Sequence, residues 1–385
     1  MPQRIDERRL AFFGALCLFL STLEYLIPKP LPFLRVGLAN LPILLCLAPR
    51  AEDSRDGEPL RFILALVCLK IAGQAIVGGT LFSYVFLFST AGSLASAAVM
   101  LASCRLFGQK LSLAGIGVLG SLGSNAAQIL FARYLLLGEG AWLIAPFLFL
   151  LGTASGFLLG VFAQAVREHS PWLVFPENGV DDASISLAGE PEQTASDPAA
   201  FFSAACGFVS VFPFVFSRSL AAKLVCTAFY MALAAFQGKR IRLLPNCVLT
   251  LTVTAAHCLQ PFGKVLFTLG SLPITEGAVH AGLFRSTTLI GLVYLSRLAV
   301  RPTLRFPGRA GKILSACLRD FERITGSHWR PDLKNLWASL DRLLAAAYSS
   351  RAALPAVSPR MSLKEAAAGL VFTFCTWAVF VYCAL

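Results

Sequence analysis

The sequence predicts an all-α integral membrane protein with about eleven transmembrane helices in two bundles, plus cytoplasmic amphipathic helices. Hydrophobic residues make up 56% of the chain and charged residues 14%, and the mean hydropathy is +0.70. Apolar segments recur along the sequence, and most of them approach the ~20 residues that cross a bilayer. Nearly all Lys and Arg residues fall in connections on one side of these segments, which is typical of a multi-pass protein.

The predicted spans follow one another from the N-terminus to the C-terminus. They are 10–28, 33–48, 60–77, 80–103, 112–136, 141–166, 199–217, 219–238, 243–260, 277–299 and 365–385. With a cytoplasmic N-terminus, only Lys29, Arg218 and Lys264 lie in outside loops. This asymmetry predicts a protein of the cell (inner, cytoplasmic) membrane, and contact with membrane lipid explains the basic charge better than nucleic acid does.

An acidic stretch at 168–198 divides the chain into two predicted membrane domains, 1–167 and 199–385. The stretch contains acidic residues such as Glu177 and Asp181 but no Lys or Arg, and it is rich in Ser, Ala and Pro. Such a composition buries too little apolar surface to fold, so it predicts a flexible cytoplasmic linker.

The second domain contains a basic interruption with two helical patterns at about 303–348. Leu318 and Phe321 belong to the first pattern, and Trp337 and Leu340 to the second. Their three- and four-residue spacing predicts amphipathic helices that are too polar to span. Two interpretations stay open, because such helices can lie on the membrane surface or grip a partner protein.

Six polar side chains inside apolar segments are the candidate substrate-binding residues. They are Arg35, Asn40, Lys70, Gln74, Asn125 and Gln128. A charge within the bilayer is expensive unless it faces a cavity or a partner, so the two cations favour an anionic or strongly polar ligand. The alternatives are that Arg35 reaches the outer interface, and that Asn125 and Gln128 make ordinary hydrogen bonds between helices.

Other features of the sequence concern packing and the kinds of chemistry that it excludes. Ala11 and Ala15 are four residues apart in the first span, a spacing that favours close helix packing. The sequence has no GxxxxGK[ST] loop for ATP, no Asp-rich cluster for magnesium and diphosphate, and no ligand spacing among its histidines. We therefore expect no catalytic residues, no cofactor and no metal site.

Four motifs in the first domain resemble, in order, the Gx transporter family, which is also called heptaprenyl diphosphate synthase component I. They are FLRVGLANLP at 33–42, LK-x-x-G at Lys70, FLFSTAGSLAS at 86–96 and GIGVLGSLGSNAAQ at 115–128. Ser124 stands where the family usually has His. The family is similar to the six-span, substrate-binding S components of energy-coupling factor (ECF) importers.

The stretch 261–298 resembles the transmembrane T component of the same importers, although the Ala-Arg-Gly and Ala-Arg-Ser motifs of that component are absent. The resemblance implies that residues 1–167 form a substrate cup. Residues 199–385 would couple it to separate ABC-type ATPases through Leu318, Phe321, Trp337, Leu340 and Arg351, and ATP binding would tip the cup. The alternative is a non-catalytic component I that assists a prenyl diphosphate synthase partner.

Overall fold

The protein is described here from a computed structural model, and the fold is helical apart from one short hairpin. The described residues are 7–26, 37–47, 60–169, 198–239, 241, 243–269, 272–300, 306, 308–326 and 363–384. The helices are α1 (Glu7–Leu26), α2 (Leu41–Leu47), α3 (Leu60–Val77), α4 (Tyr84–Phe107), α5 (Leu113–Ala132), α6 (Ala141–His169), α7 (Pro198–Phe216), α8 (Leu220–Phe236), α9 (Leu243–Cys258), α10 (Glu276–Ala299), α11 (Gly308–Gly326) and α12 (Leu363–Ala384). Strands β1 (Val265–Leu269) and β2 (Leu272–Thr275) pair antiparallel between α9 and α10.

Four ranges of the described chain are long and apolar enough to cross a membrane. They are Leu60–Val77, Tyr84–Phe107, Leu113–His169 and Glu276–Ala299. The prediction of about eleven spans is therefore not confirmed. Shorter apolar helices cover other predicted spans: Leu38–Leu47, Ala200–Phe216, Leu220–Phe236, Leu243–Cys258 and Gly369–Tyr382. The predicted span 33–48 differs most, because its described part is one 3-10 turn followed by the seven-residue α2, which is too short to cross.

The longest of the four ranges folds back on itself and contains both α5 and α6. A π-helical turn and a 3-10 turn at Arg133–Gly140 separate the two helices. A Cβ atom at Gly160 would lie 2.3 Å from the Cα of Ala114, and one at Gly156 would lie 2.6 Å from the carbonyl oxygen of Gly117. Glycine at these positions lets the backbones of α5 and α6 touch. This contact sets the orientation of α5, and therefore the side to which its polar side chains point.

The core of the predicted first domain (1–167) is completed by a helix from the predicted second domain (199–385). Ala11 and Ala15 on α1 are fully buried. Helix α11 packs along α1, and a Cβ atom at Gly14 would lie 2.9 Å from the Sγ of Cys317. The predicted coupling residues Leu318 and Phe321 lie on α11, partly buried against this same core.

A buried ion pair ties α11 to α1. Arg8 donates a hydrogen bond of 2.7 Å to Asp320, and Arg323 donates one of 3.1 Å to the same carboxylate. Burial raises the pKa of the Asp320 carboxyl, and the guanidinium of Arg8 acts against that rise. The pair joins two helices from opposite ends of the sequence, because Arg8 and Asp320 are 312 positions apart.

A second contact between the domains joins α4 and the α5–α6 turn to α9 and α10. Phe88 and Leu136 share an apolar cluster with Val253 and Leu289. The backbone carbonyl of Leu136 also lies 2.8 Å from Nε2 of His257. The two domains therefore share a hydrophobic core as well as the α1–α11 contact.

The connection between α3 and α4 touches the last turn of α10. The backbone N–H of Phe82 donates to Oγ of Ser296 at 3.1 Å, and a Cβ atom at Gly79 would lie 3.5 Å from the Cα of Arg297. If every predicted span crossed upright, residues 78–79 and the adjoining end of span 80–103 would lie at the outer side of the membrane, and the end of α10 would lie at the inner side. The observed contact is incompatible with two upright bundles that alternate in this way.

Candidate substrate-binding site

A polar pocket lies within the first domain, between the end of α1, the turn before α2, and helices α3, α4 and α5. Its empty volume is about 410 Å³, including the open space at its mouth. It is lined by Glu24, Gly37, Ala39, Asn40, Lys70, Ser89, Ser93, Ser121, Ser124, Asn125 and Gln128. None of these residues carries an aromatic ring or a large aliphatic side chain.

The turn before α2 places an amide opposite a buried ammonium. Gly37 has φ 89°, a left-handed conformation that glycine adopts at low cost, and the N–H of Asn40 bonds back to its carbonyl at 2.8 Å. This turn points Asn40 at Lys70, whose Nζ donates to Oδ1 of Asn40. Lys70 is only 3% exposed, so the hydrogen bond compensates part of the cost of burying its charge.

The opposite charge in the pocket belongs to Glu24, near the end of α1. Its carboxylate accepts a hydrogen bond of 3.2 Å from the N–H of Gly37, and the residue is 4% exposed. Glu24 and Lys70 are therefore buried charges of opposite sign on one pocket. Their presence favours a ligand that carries both polarities, or several neutral polar groups, over a purely anionic one.

Helix α5 contributes a row of hydrogen-bonding side chains to the pocket, and α6 packs closely against α5. Asn125 donates through Nδ2 to the carbonyl of Leu148 at 2.6 Å, and Gln128 donates through Nε2 to Oγ of Ser124 at 3.0 Å. These bonds orient both amides, and both residues line the pocket. A Cβ atom at Gly92 of α4 would lie 2.6 Å from Nε2 of Gln128, so glycine is required for this approach.

The structure brings four of the six predicted residues to one pocket: Asn40, Lys70, Asn125 and Gln128. Gln74 lies behind the lining, where its Oε1 accepts a hydrogen bond of 3.1 Å from Ser89. Arg35 lies outside the described residues, as do Trp337, Leu340, Arg351 and most of the predicted linker. The role of Arg35 in substrate binding and the roles of Trp337, Leu340 and Arg351 in partner coupling stay predictions.

Sequence reasoning missed Glu24 and the four lining serines, Ser89, Ser93, Ser121 and Ser124. The acidic residue inside the apolar run STLEYL was an available signal, because an intramembrane carboxylate is as costly as the cations that were considered. The serines gave no such signal, since serine commonly bonds to the carbonyl of its own helix, as Ser121 does to that of Val118 at 2.8 Å. The described residues contain no group of three or more His, Cys, Asp and Glu side chains suited to a metal ion.

Comparison with known proteins gives one informative match. Residues 13–166 match the family model described as heptaprenyl diphosphate synthase component I, and residues 199–302 match a domain of unknown function. Searches of the curated proteins and of the solved structures found no match. The first match agrees with the resemblance of the first domain, whereas nothing supports the T-component resemblance of the second. The chain is thus a membrane-associated protein whose residues 13–166 are similar to heptaprenyl diphosphate synthase component I.

Proposed function

We propose that the chain is the membrane subunit of an importer that binds a small polar solute in the pocket of the first domain and works with separate ABC-type ATPases. One observation carries the proposal. Buried amide, hydroxyl, ammonium and carboxylate groups converge on a single pocket within an apolar helical bundle. Intramembrane polar groups of this kind are costly, and they are typical of substrate pathways.

The contact between α1 and α11 supports the coupling part of the proposal. Helix α11 belongs to the second domain, is strongly amphipathic, and covers the first helix of the domain that holds the pocket. A force applied to α11 by an ATPase would therefore reach the pocket through packed helices and the Arg8–Asp320 pair. Leu318 and Phe321 act in this proposal on the first domain rather than directly on a partner.

The contact between Phe82 and Ser296 supports a tipped first domain. If α10 crosses the bilayer, the α3–α4 connection lies at its C-terminal end, where an upright first domain could not place it. A first domain that lies over on its side removes the conflict. The pocket would then face different sides of the membrane in the upright and tipped states, as alternating access requires.

The tipped arrangement is tested by cross-linking. In a background that lacks the native cysteines, Phe82→Cys with Ser296→Cys should form a disulfide under mild oxidation, because the backbone N–H of one residue touches the side chain of the other. Cross-linking should fall when the full transporter binds ATP or releases solute. Phe82→Cys alone and Ser296→Cys alone are the controls and should form no intramolecular disulfide, and failure of the pair to cross-link would remove the support for tipping.

Solute binding is tested by releasing small molecules from purified full-length protein and quantifying them by mass spectrometry. Lys70→Met removes the ammonium but keeps a side chain of similar length, so retention of the bound solute should fall at least about tenfold, the equivalent of about 1.4 kcal/mol. Lys110→Met, which removes an exposed positive charge, is the matched control. Equal retention in wild type and Lys70→Met would remove the pocket from the proposal.

A second candidate function is favoured by the family match. Under it, the chain is a non-catalytic membrane component that holds a prenyl diphosphate synthase. The pocket lining argues against storage of an isoprenoid chain there, because such a chain needs apolar walls. Affinity purification from native membranes separates the two functions: ATPases in the eluate support the importer, and a prenyl diphosphate synthase without ATPases supports the second candidate.

A further inference from the structure

A second buried lysine lies in the other domain and in different surroundings. Lys223, in the first turn of α8, is 2% exposed. Its Nζ donates to Oγ1 of Thr288 at 2.8 Å and to the carbonyl of Val215 at 3.4 Å, and it lies 4.0 Å from the ring centroid of Phe284. All of these partners are neutral, so the positive charge is solvated but not neutralised.

The surrounding sequence offers almost no counter-charge. Glu276 is the only acidic residue between positions 199 and 302, and among the described residues no carboxylate lies within ion-pair distance of Lys223. Arg218 is exposed in the connection just before α8, and the N-terminal end of α8 adds its own partial positive charge. Among the described residues this corner of the domain is therefore electropositive, with no carboxylate paired to Lys223.

Lys223 lies on the wall of an apolar crevice between α7, α8 and α12. The crevice has an empty volume of about 180 Å³ and is lined by Pro213, Phe214, Ser217, Ala222, Lys223, Cys226, Thr376, Val379 and Phe380. Its surroundings are apolar and exposed, with Phe216 at 69% and Val225 at 57%. In a membrane-associated protein such an exposed apolar surface is suited to contact with lipid chains.

We propose that this crevice binds a membrane phospholipid with an anionic headgroup. The headgroup phosphate lies at the α7–α8 connection beside the exposed Arg218, where the buried Lys223 ammonium attracts it, while one acyl chain lies between α8 and α12 against Phe380 and Val379. Charge complementarity selects the anionic headgroup, and the exposed apolar rim selects an occupant with a hydrocarbon chain. The site is separate from the polar pocket of the first domain and does not depend on the function proposed for that pocket.

The proposal is tested by native mass spectrometry of delipidated full-length protein titrated with phosphatidylglycerol, or with phosphatidylcholine of the same chains. Wild type should bind the first lipid more tightly than the second. Lys223→Met should weaken phosphatidylglycerol binding at least about fivefold, the effect of one cation beside an anionic headgroup, and leave phosphatidylcholine binding unchanged. Lys264→Met removes an exposed charge outside the crevice and should bind like wild type.

A second variant separates binding from folding. Val379→Trp fills the crevice while leaving the ammonium in place, and it should also weaken phosphatidylglycerol binding. Equal binding of phosphatidylglycerol by wild type and Lys223→Met would overturn the proposal, as would equal affinity of wild type for the two phospholipids. Tighter binding of farnesyl diphosphate than of phosphatidylglycerol, lost in Lys223→Met, would assign the crevice to an isoprenoid diphosphate and overturn the phospholipid.

Discussion

Lys70 and Lys223 are both almost completely buried in apolar helices, yet their surroundings differ in kind. Lys70 borders a pocket of amides, hydroxyls and a carboxylate. Lys223 borders an apolar crevice, and its described partners are one hydroxyl, one carbonyl and aromatic rings. The first lysine is part of a polar constellation that can recognise a water-soluble molecule, whereas the second is a lone cation beside a surface suited to hydrocarbon.

The comparison shows that burial of a charge does not by itself identify a ligand. The residues within a few ångströms decide whether the charge serves a polar solute or an amphiphile. Arg8 represents a third arrangement, in which a buried cation is matched by the carboxylate of Asp320 and serves packing. The three sites should therefore respond differently when their charges are removed.

The largest expected effect comes from disrupting the α5–α6 contact that supports the polar pocket beside Lys70. Gly156→Leu would force a side chain into the carbonyl of Gly117 and into Ser121, so α5 and α6 must separate. The expected loss is about 3 kcal/mol of unfolding free energy, seen as a lower midpoint in thermal or denaturant unfolding in detergent. Gly326→Leu, where a Cβ meets open space, should stay near wild type.

The next effect concerns the matched ion pair. Asp320→Asn leaves the guanidinium of Arg8 buried opposite a neutral amide, which should cost about 3 kcal/mol at this contact. The α11 segment should then become more susceptible to limited proteolysis. Glu322→Gln removes an exposed carboxylate from the same helix, and equal proteolysis of the two variants would show that the pair does not hold α11 in place.

A smaller effect is expected at Lys70. Lys70→Met removes the donor to Oδ1 of Asn40 and leaves a carboxylate, Glu24, on the pocket without the nearby cation. The unfolding free energy should fall by about 2 kcal/mol, because polar groups at the pocket lose a compensating partner. An unchanged unfolding midpoint would indicate that water or another group replaces the ammonium without cost.

The smallest effect, and the one that most sharpens the comparison, is expected at Lys223. Lys223→Met replaces an uncompensated cation with an apolar side chain among apolar neighbours. Its unfolding free energy should lie between no change and a gain of about 1 kcal/mol, opposite in sign to Lys70→Met. A loss as large as that of Lys70→Met would show that the hydrogen bond to Thr288 dominates at this site.

The sequence identified much of the polar pocket because intramembrane polar residues are rare enough to carry information. Asn40, Lys70, Asn125 and Gln128 could be found in this way, and they do line one pocket. Lys223 was not identified as a site, because it lies near the start of an apolar run, where a lysine usually reaches water. Only its tertiary neighbours on α7 and α10 show that it does not.

Two further features were beyond sequence reasoning for geometric reasons. The pattern of α11 left open whether its apolar face meets lipid or protein, since periodicity defines a face but not its neighbour. Span counting assumed that each apolar segment crosses upright, and the contact between Phe82 and Ser296 violates that assumption. The short α2 shows the same limit, because apolar length alone did not reveal the turn at Gly37.

The pairing of α1 with α11 also bears on how the protein is assembled during translation. The first helix leaves the ribosome about three hundred residues before the segment that covers it. Until then, Arg8 lacks its partner Asp320, and the insertion machinery or lipid must shield the surface of α1 that α11 later covers. The helical core around the polar pocket is therefore completed late in synthesis, and a truncated chain that stops at the acidic stretch would emerge with its first helix uncovered.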